Sequence, residues 1–247
     1  MQAGRMGRSA LLLALGFGIS AAPALNATPG EQEFNEALSL TADVDNGARL
    51  YRNCVACHGA EGWGDASGAY PQIAGQLPGV IIKQLADIRA GNRDNPIMRA
   101  FASQRSLGDA QNIADVAAYI AQMPMTPNNG QAPGGDIALG RQIYERECSD
   151  CHGDSGEGNA KKHIPAVYGQ HYHYLTRQFH WIRNGRRRNA DPEMVKQIER
   201  FSAQDISAVM AYTASLQPPA EKLASQGWTN PDFPNHWRDW RPTPGRR

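Results

Sequence analysis

The sequence predicts an all-α protein built as two tandem copies of one small helical unit. Three observations predict it. A set of residues recurs at an offset of 94 positions. Apolar residues recur at helical spacing, with no convincing period-two strand. One pentapeptide, C-x-x-C-H, occurs once in each copy, as Cys54-Val55-Ala56-Cys57-His58 and Cys148-Ser149-Asp150-Cys151-His152.

The repeat extends well beyond the pentapeptide. Pro71 pairs with Pro165, Gly75-Gln76 with Gly169-Gln170, and Gln84 with Gln178. Arg89-x-Gly91-x-Arg93 pairs with Arg183-x-Gly185-x-Arg187. Upstream, Gly47-x-x-Leu50-Tyr51 matches Gly140-x-x-Ile143-Tyr144 after a one-residue slip; downstream, Tyr119 matches Tyr212. A self-similarity that persists along a whole unit marks a duplicated domain. The domains are placed at 41–125 and 136–217, joined by a linker at 126–135 within a Pro-, Asn- and Gly-rich stretch.

Taken in order, residues 1–24 read as an export signal. Arg5 and Arg8 form a positive start, Ala10 to Ile19 an apolar run, and Ala22-Pro23-Ala24 a small-residue cleavage site. The run is short for a membrane span, which needs about 20 residues. An uncleaved anchor is the alternative. Either way the folded part lies outside the cytoplasm, and the expected location is the periplasm. Within each unit a first helix (45–54, then 137–148) delivers the pentapeptide, and a glycine-rich loop follows. A middle helix spans 79–90 and 172–184, and a last helix 110–122 and 203–215. Ile113, Val116, Ala117 and Ile120 give the last helix of unit one an apolar face, and Ser202-x-x-Asp205 starts its counterpart with a capping box. Residues 218–247 lack periodicity and read as an irregular tail that wraps the surface or stays flexible, with a docking segment as the alternative.

The pentapeptide carries the chemistry. C-x-x-C-H is the attachment signature of a c-type haem. Two thiols three positions apart on a helical turn reach the two vinyl groups on one porphyrin edge, and the next residue aims an imidazole at the iron. A redox pair does not require the adjacent histidine, and a zinc site would need two more ligands per motif. Cys54, Cys57, Cys148 and Cys151 are all the cysteines in the chain, so none is left over for a disulfide. The reading is two covalently bound haem c groups, with His58 and His152 as iron ligands. Each plate would supply much of the core that so small a domain must bury.

The opposite face of each iron takes Met98 or Met194, from Pro96-Ile97-Met98 and Pro192-Glu193-Met194. These lie 40 and 42 residues past the proximal histidine, between the middle and last helices. Proline stiffens the loop that carries the thioether. Met210 reads as core filling, and Met123 and Met125 as weak competitors near the linker. In unit two His163, His171, His173 and His180 are alternative sixth ligands, although rim positions suit them better. Unit one has no histidine besides His58. The carbonyls of Pro71 and Pro165, each 13 residues past its histidine, are placed to accept the imidazole's other N–H. Arg93 and Arg187 either pair with a haem carboxylate or lie solvated at the surface. Trp63 and Tyr70 either line the first crevice or simply pack.

With these residues in hand, the chain resembles a di-haem class I cytochrome c, most closely the cytochrome c4 family. The resemblance covers 41–217 and rests on C-x-x-C-H, the Pro71–Gln76 and Pro165–Gln170 strings, Arg-x-Gly-x-Arg, the methionines and the Ala-Tyr of the last helix. It implies two tandem class I cytochrome c domains, each a small helical fold around a covalent haem and facing the other through a pseudo-twofold. It also implies an exported electron carrier, allowing peripheral membrane association. The partners would be redox proteins: a quinol-oxidising complex, a dehydrogenase or a terminal oxidase. The Arg186-Arg187-Arg188 run and the aromatic His171–Tyr174 string depart from the pattern.

Charge excludes other classes. The net charge is +1 for the full chain and −1 once Arg5 and Arg8 leave, which argues against a nucleic-acid protein. Three functions remain: a soluble electron shuttle, which is not an enzyme; a haem-bearing subunit of a dehydrogenase or oxidase, with the tail as interface; and a catalytic di-haem enzyme. The last is disfavoured because each unit has a methionine for its iron and no cysteine is free.

Overall fold

A computed structural model describes residues 27–233. The expected export signal at 1–24, and Trp237 and Trp240 of the tail, lie outside the described residues. Among the described residues there are no named strands, only two isolated bridges. No helix among them is long and apolar enough to cross a membrane.

The described residues open on a helix that no apolar periodicity announces. α1 (Pro29–Ser39) starts with proline in its first turn and a capping box between Thr28 and Glu31. It packs on the later helices of the first unit and buries Ala37 in their core. α2 (Val44–Tyr51) is capped by the Asp43 side chain. Instead of running on into the pentapeptide, the chain breaks helix after Tyr51 and restarts as the single turn α3 (Val55–His58). α4 (Pro78–Ala90) ends on Gly91 in the left-handed conformation. α5 (Pro96–Ala102) and α6 (Gln104–Leu107) follow, then α7 (Ala110–Gln122).

The second unit repeats the plan. α8 (Ile137–Glu147) leads to α9 (Ser149–His152), then α10 (Tyr172–Arg183), α11 (Pro192–Ile198) and α12 (Ala203–Ser215). The middle and last helices fall where helical periodicity put them. The methionine segments do not fall in loops. Met98 sits in α5 and Met194 in α11, because Asn95 and Asp191 cap those turns by accepting from the backbone N–H of Met98 and of Glu193 and Met194.

Within each unit the first and last helices cross closely, α2 on α7 and α8 on α12. A glycine makes each crossing possible. A Cβ on Gly47 would lie 2.2 Å from the Asp115 carbonyl oxygen, and one on Gly140 would lie 2.1 Å from that of Ala208. The core of the first unit gathers Tyr51, Ile113, Val116 and Ile120; that of the second gathers Tyr144, Phe179, Val209 and Met210.

The two units meet through glutamine side chains related by the repeat. The Gln76 amide brackets the backbone of Ala166, donating to its carbonyl at 2.9 Å and accepting from its N–H at 3.0 Å. The Gln170 amide brackets Gln72 in the same way, at 2.8 and 3.1 Å. Residues 72 and 166 are one repeat apart, as are 76 and 170. These reciprocal bonds realise the expected pseudo-twofold.

The described part of the tail is neither loose nor confined to the second unit. After a 3-10 turn (Ala220–Lys222), Leu223 bridges Met125, and the chain crosses back over the first unit. The Trp228 ring packs on that of Trp63 at 5.9 Å. The Asn230 amide donates to the Ala60 carbonyl at 2.8 Å and meets the Tyr119 hydroxyl. Phe233 is 4% exposed and packs on Tyr51 in the first core. Apolar burial and side-chain amides hold this strap, which is why no helical periodicity announces it.

Two outcomes follow for stability in urea. Phe233→Ala lowers the unfolding free energy of the first unit by about 3 kcal/mol, the usual cost of emptying a buried aromatic site. Gly140→Val destabilises the second unit by about 1–3 kcal/mol, since its methyls must force apart two helix backbones. Phe233→Ala with an unchanged urea midpoint would mean that the strap contributes nothing to the first core.

Candidate haem sites

Each pentapeptide begins at a helix break and ends in one tight turn. The His58 N–H donates to the Cys54 carbonyl at 2.9 Å, and the His152 N–H to the Cys148 carbonyl at 2.9 Å. A buried tyrosine seals the turn behind it. The Tyr51 hydroxyl donates to the Gly59 carbonyl at 2.7 Å, and the Tyr144 hydroxyl to the Gly153 carbonyl at 2.8 Å.

The imidazoles are held as the sequence predicts. His58 Nδ1 lies 3.0 Å from the Pro71 carbonyl oxygen, and His152 Nδ1 lies 3.0 Å from that of Pro165. With Nδ1 donating there, Nε2 is the nitrogen left with a lone pair. Burial holds both imidazoles below the usual histidine range, which keeps them neutral and able to ligate. The loop returning from the pentapeptide to the proline needs glycine. Gly64 has φ +68° and Gly158 φ +74°, and a Cβ on Gly64 would lie 2.4 Å from the Pro71 carbonyl oxygen.

None of the four cysteines is paired in a disulfide. Cys54 and Cys148 pack at the edges of their cores, and burial pushes both thiols up to about 12. A disulfide-exchanging or zinc-binding cysteine needs the opposite, a thiolate stabilised by its surroundings. Among the described residues no cluster of three or more His, Cys, Asp or Glu side chains could hold a metal ion. Two cysteines next to a histidine are the set that would hold one porphyrin by two thioether bonds to its vinyl groups. Met98 and Met194 are both half-buried on their short helices, and Met194 packs against the second core. Met210 is a core residue, as expected, and Met123, the weak competitor near the linker, is buried in the first core.

The histidines of the second unit go elsewhere. His171 is not at the rim; it is 2% exposed and wedged between the units. Its Nε2 donates to the Trp63 carbonyl at 2.7 Å, and its Nδ1 accepts from the Gly130 N–H at 2.9 Å, so neither nitrogen is free to ligate. His163 packs edge-on against Phe34 of α1, while His173 and His180 are exposed. Trp63 is committed to the strap and to the Pro124 carbonyl, which accepts its indole N–H at 2.8 Å. Tyr70 does stand by the site, its ring edge-on to His58 at 6.3 Å.

Arg93 and Arg187 are not solvated. They lie against each other across the interface, sharing the side-chain oxygens of Gln84 and Gln178. Arg93 donates to Gln84 and to Gln178 at 3.1 Å each, and Arg187 donates to Gln178 at 3.1 Å and to Gln84 at 3.0 Å. The Tyr174 hydroxyl also accepts from Arg93 at 3.0 Å. Burial, then the charge of Arg93, pulls the Arg187 guanidinium down to about 10. The cluster was legible in part, since Gln84/Gln178 and Arg93/Arg187 recur in register. Nothing in the sequence showed that the two pairs would interlock. Arg93 is buried and Arg187 half-buried, both bonded only to neutral oxygens; with Asp87 the acid that acts on Arg187, the pair can take a further anion. Haem carboxylates are such anions, so thiols, imidazoles and guanidiniums together fit the group.

A helical unit wound around a C-x-x-C-H turn, with its histidine braced by a proline carbonyl, defines a c-type cytochrome domain, and the fold contains it twice. The chain belongs to the Cytochrome c family, whose pattern matches residues 44–124 and 137–217. It is 33% identical over 199 residues to the thiosulfate dehydrogenase electron acceptor of Stutzerimonas stutzeri (strain A1501), covering 72% of this chain and 90% of that one. It is 35% identical over 175 residues to a cytochrome c4 of Pseudomonas aeruginosa, covering 66% and 83%. Its fold is similar to the crystal structure of reduced recombinant cytochrome c4 from Pseudomonas stutzeri, with TM-score 0.59 and 28% identity over 72% of this chain and 100% of that one. The molecule is accordingly a di-haem electron-transfer cytochrome of the c4 type, with two covalently bound haem c groups.

Gly64→Ala tests the proximal loop. Its methyl forces the Pro71 carbonyl off His58, and the left-handed backbone adds strain. The variant loses more than about 1 kcal/mol of stability in a denaturant titration followed at the haem absorption. An unshifted titration would show that the loop has room to spare.

Proposed function

We propose that this chain carries single electrons in the periplasm between a dehydrogenase and a downstream respiratory acceptor, such as a terminal oxidase. In this reading Cys54 and Cys57 hold one haem by thioether bonds, with His58 and Met98 on its iron. Cys148, Cys151, His152 and Met194 do the same for the second. The domains divide at 41–125 and 136–217, with 126–135 as linker; α1 and the strap at 218–233 fold onto the first.

The observation that carries the reading is the paired hydrogen bond from His58 to Pro71 and from His152 to Pro165, each at 3.0 Å. It leaves one imidazole nitrogen of each proximal histidine for iron. When bound, the haem iron supplies the chemistry by cycling between ferrous and ferric. The residues around it only fix its ligands and exclude water, and none needs to move a proton. The sulfurs of Met98 and Met194 would complete the coordination of the irons and raise their potentials. That favours a carrier over a catalytic centre. A dehydrogenase as electron donor is supported by the relative from S. stutzeri, named as the electron acceptor of a thiosulfate dehydrogenase. The exported location is supported by the signal-like composition of 1–24.

Absorption spectroscopy of the ferric protein tests the ligands. Wild type shows the methionine-to-iron charge-transfer band at the red end of the visible spectrum. Met98→Ala and Met194→Ala each remove half of its intensity, and the double variant removes all of it. A band that survives both substitutions would assign the sixth ligand elsewhere.

A further inference from the structure

Each proximal histidine is the first link of a hydrogen-bond chain that ends in the other domain. A peptide unit presents a carbonyl on one side and an N–H on the other, and bonds at its two ends polarise one another. The Pro71–Gln72 unit is bonded at both ends. Its carbonyl accepts from His58 Nδ1 at 3.0 Å, and its N–H donates to Gln170 Oε1 at 3.1 Å. The Pro165–Ala166 unit is its counterpart. Its carbonyl accepts from His152 Nδ1 at 3.0 Å, and its N–H donates to Gln76 Oε1 at 3.0 Å. The first chain is shielded from water, with Gln72 at 4% and Gln170 at 8% exposure; in the second Ala166 is at 5% and Gln76 is half-buried.

We propose that Gln76 and Gln170 are positioning residues that act across the domain interface, each tuning the redox midpoint of the haem held in the opposite domain. A glutamine oxygen pulling on the peptide N–H makes the proline carbonyl a better acceptor. The better acceptor draws harder on the imidazole N–H and makes that imidazole a more basic ligand. A more basic ligand favours ferric iron and lowers the midpoint. The amide group also fixes the peptide in place, because its Nε2 donates to the carbonyl of the same residue that it accepts from. Docking the domains is thereby part of setting both centres.

The two chains differ in one respect that an experiment can use. On the first-domain side Gln72 is tied further, its amide donating to the Gly169 carbonyl at 2.6 Å and accepting from the Thr126 N–H at 2.7 Å. Its counterpart Ala166 has no side chain to do so. Gln76 is therefore the cleaner position to change.

The inference rests on His58 and His152 ligating iron. Its test is a spectroelectrochemical titration of the holoprotein, with the haems assigned by their hyperfine-shifted proton resonances. Gln76→Met keeps the shape and removes the amide. The midpoint of the second-domain haem then shifts upward, that of the first stays put, and the His152 Nδ1–H exchanges faster with solvent. Gln170→Met produces the mirror result. Should either variant fail to fold, Gln76→Asn, one methylene too short to reach, gives the same crossed shift. A shift of the haem in the substituted residue's own domain, equal shifts of both haems, or none at all would overturn the inference. If wild type lacks covalent haem or histidine ligation, the reading beneath it fails instead, and the wild-type spectrum shows that before any variant is made.

Discussion

The bond from a proximal histidine to a proline carbonyl is the constraint on which the rest of this molecule depends. It is made twice, between elements 13 residues apart, at the same 3.0 Å. For it to form, the chain must leave the pentapeptide, turn through glycines with left-handed backbone, and return beneath the imidazole. The buried tyrosines Tyr51 and Tyr144 hold the start of that loop, and the crossing of first and last helices holds the tyrosines. Losing the proline carbonyl as partner would leave a buried N–H unsatisfied at a cost of about 1–3 kcal/mol, and would release the ring that the proposed function puts on the iron.

The same peptide units also join the domains. Four hydrogen bonds from Gln76 and Gln170 converge on the backbone just after the two prolines. Beside them Arg93, buried, and Arg187, half-buried, lie against glutamine oxygens, where anionic haem edges would find two cations. The interface is thus polar and specific, where an apolar one would serve adhesion alone. The strap adds a second closure. It carries the chain from the end of the second domain back to the core of the first through Trp228, Asn230 and Phe233.

Much of this was legible in the sequence because it depends on local periodicity or on the repeat. The last helices start and stop at 110–122 and 203–215, where apolar spacing and capping residues put them. The proline carbonyls could be found because Pro71 and Pro165 keep the same distance from their histidines. The rest was hidden for physical reasons. Helix α1 has few apolar residues and gains its stability by packing on the first domain. The strap is held by contacts to residues over a hundred positions away, which leave no local pattern. His171 looked like a rim histidine because burial between two domains depends on how they dock, and no periodicity within one domain reports that. The methionine segments read as loops because one helical turn after a proline is too short to show periodicity.

Nitrogen-resolved NMR of the reduced holoprotein, with labelled histidine, tests the central claim most directly. Two imidazoles, those of His58 and His152, are expected to show ring protons shifted far upfield by a porphyrin and a single Nδ1–H protected from exchange. The other five histidines stay at ordinary positions. An upfield-shifted ring from His163, His171, His173 or His180, or a His58 or His152 whose Nδ1–H exchanges freely, would contradict the account.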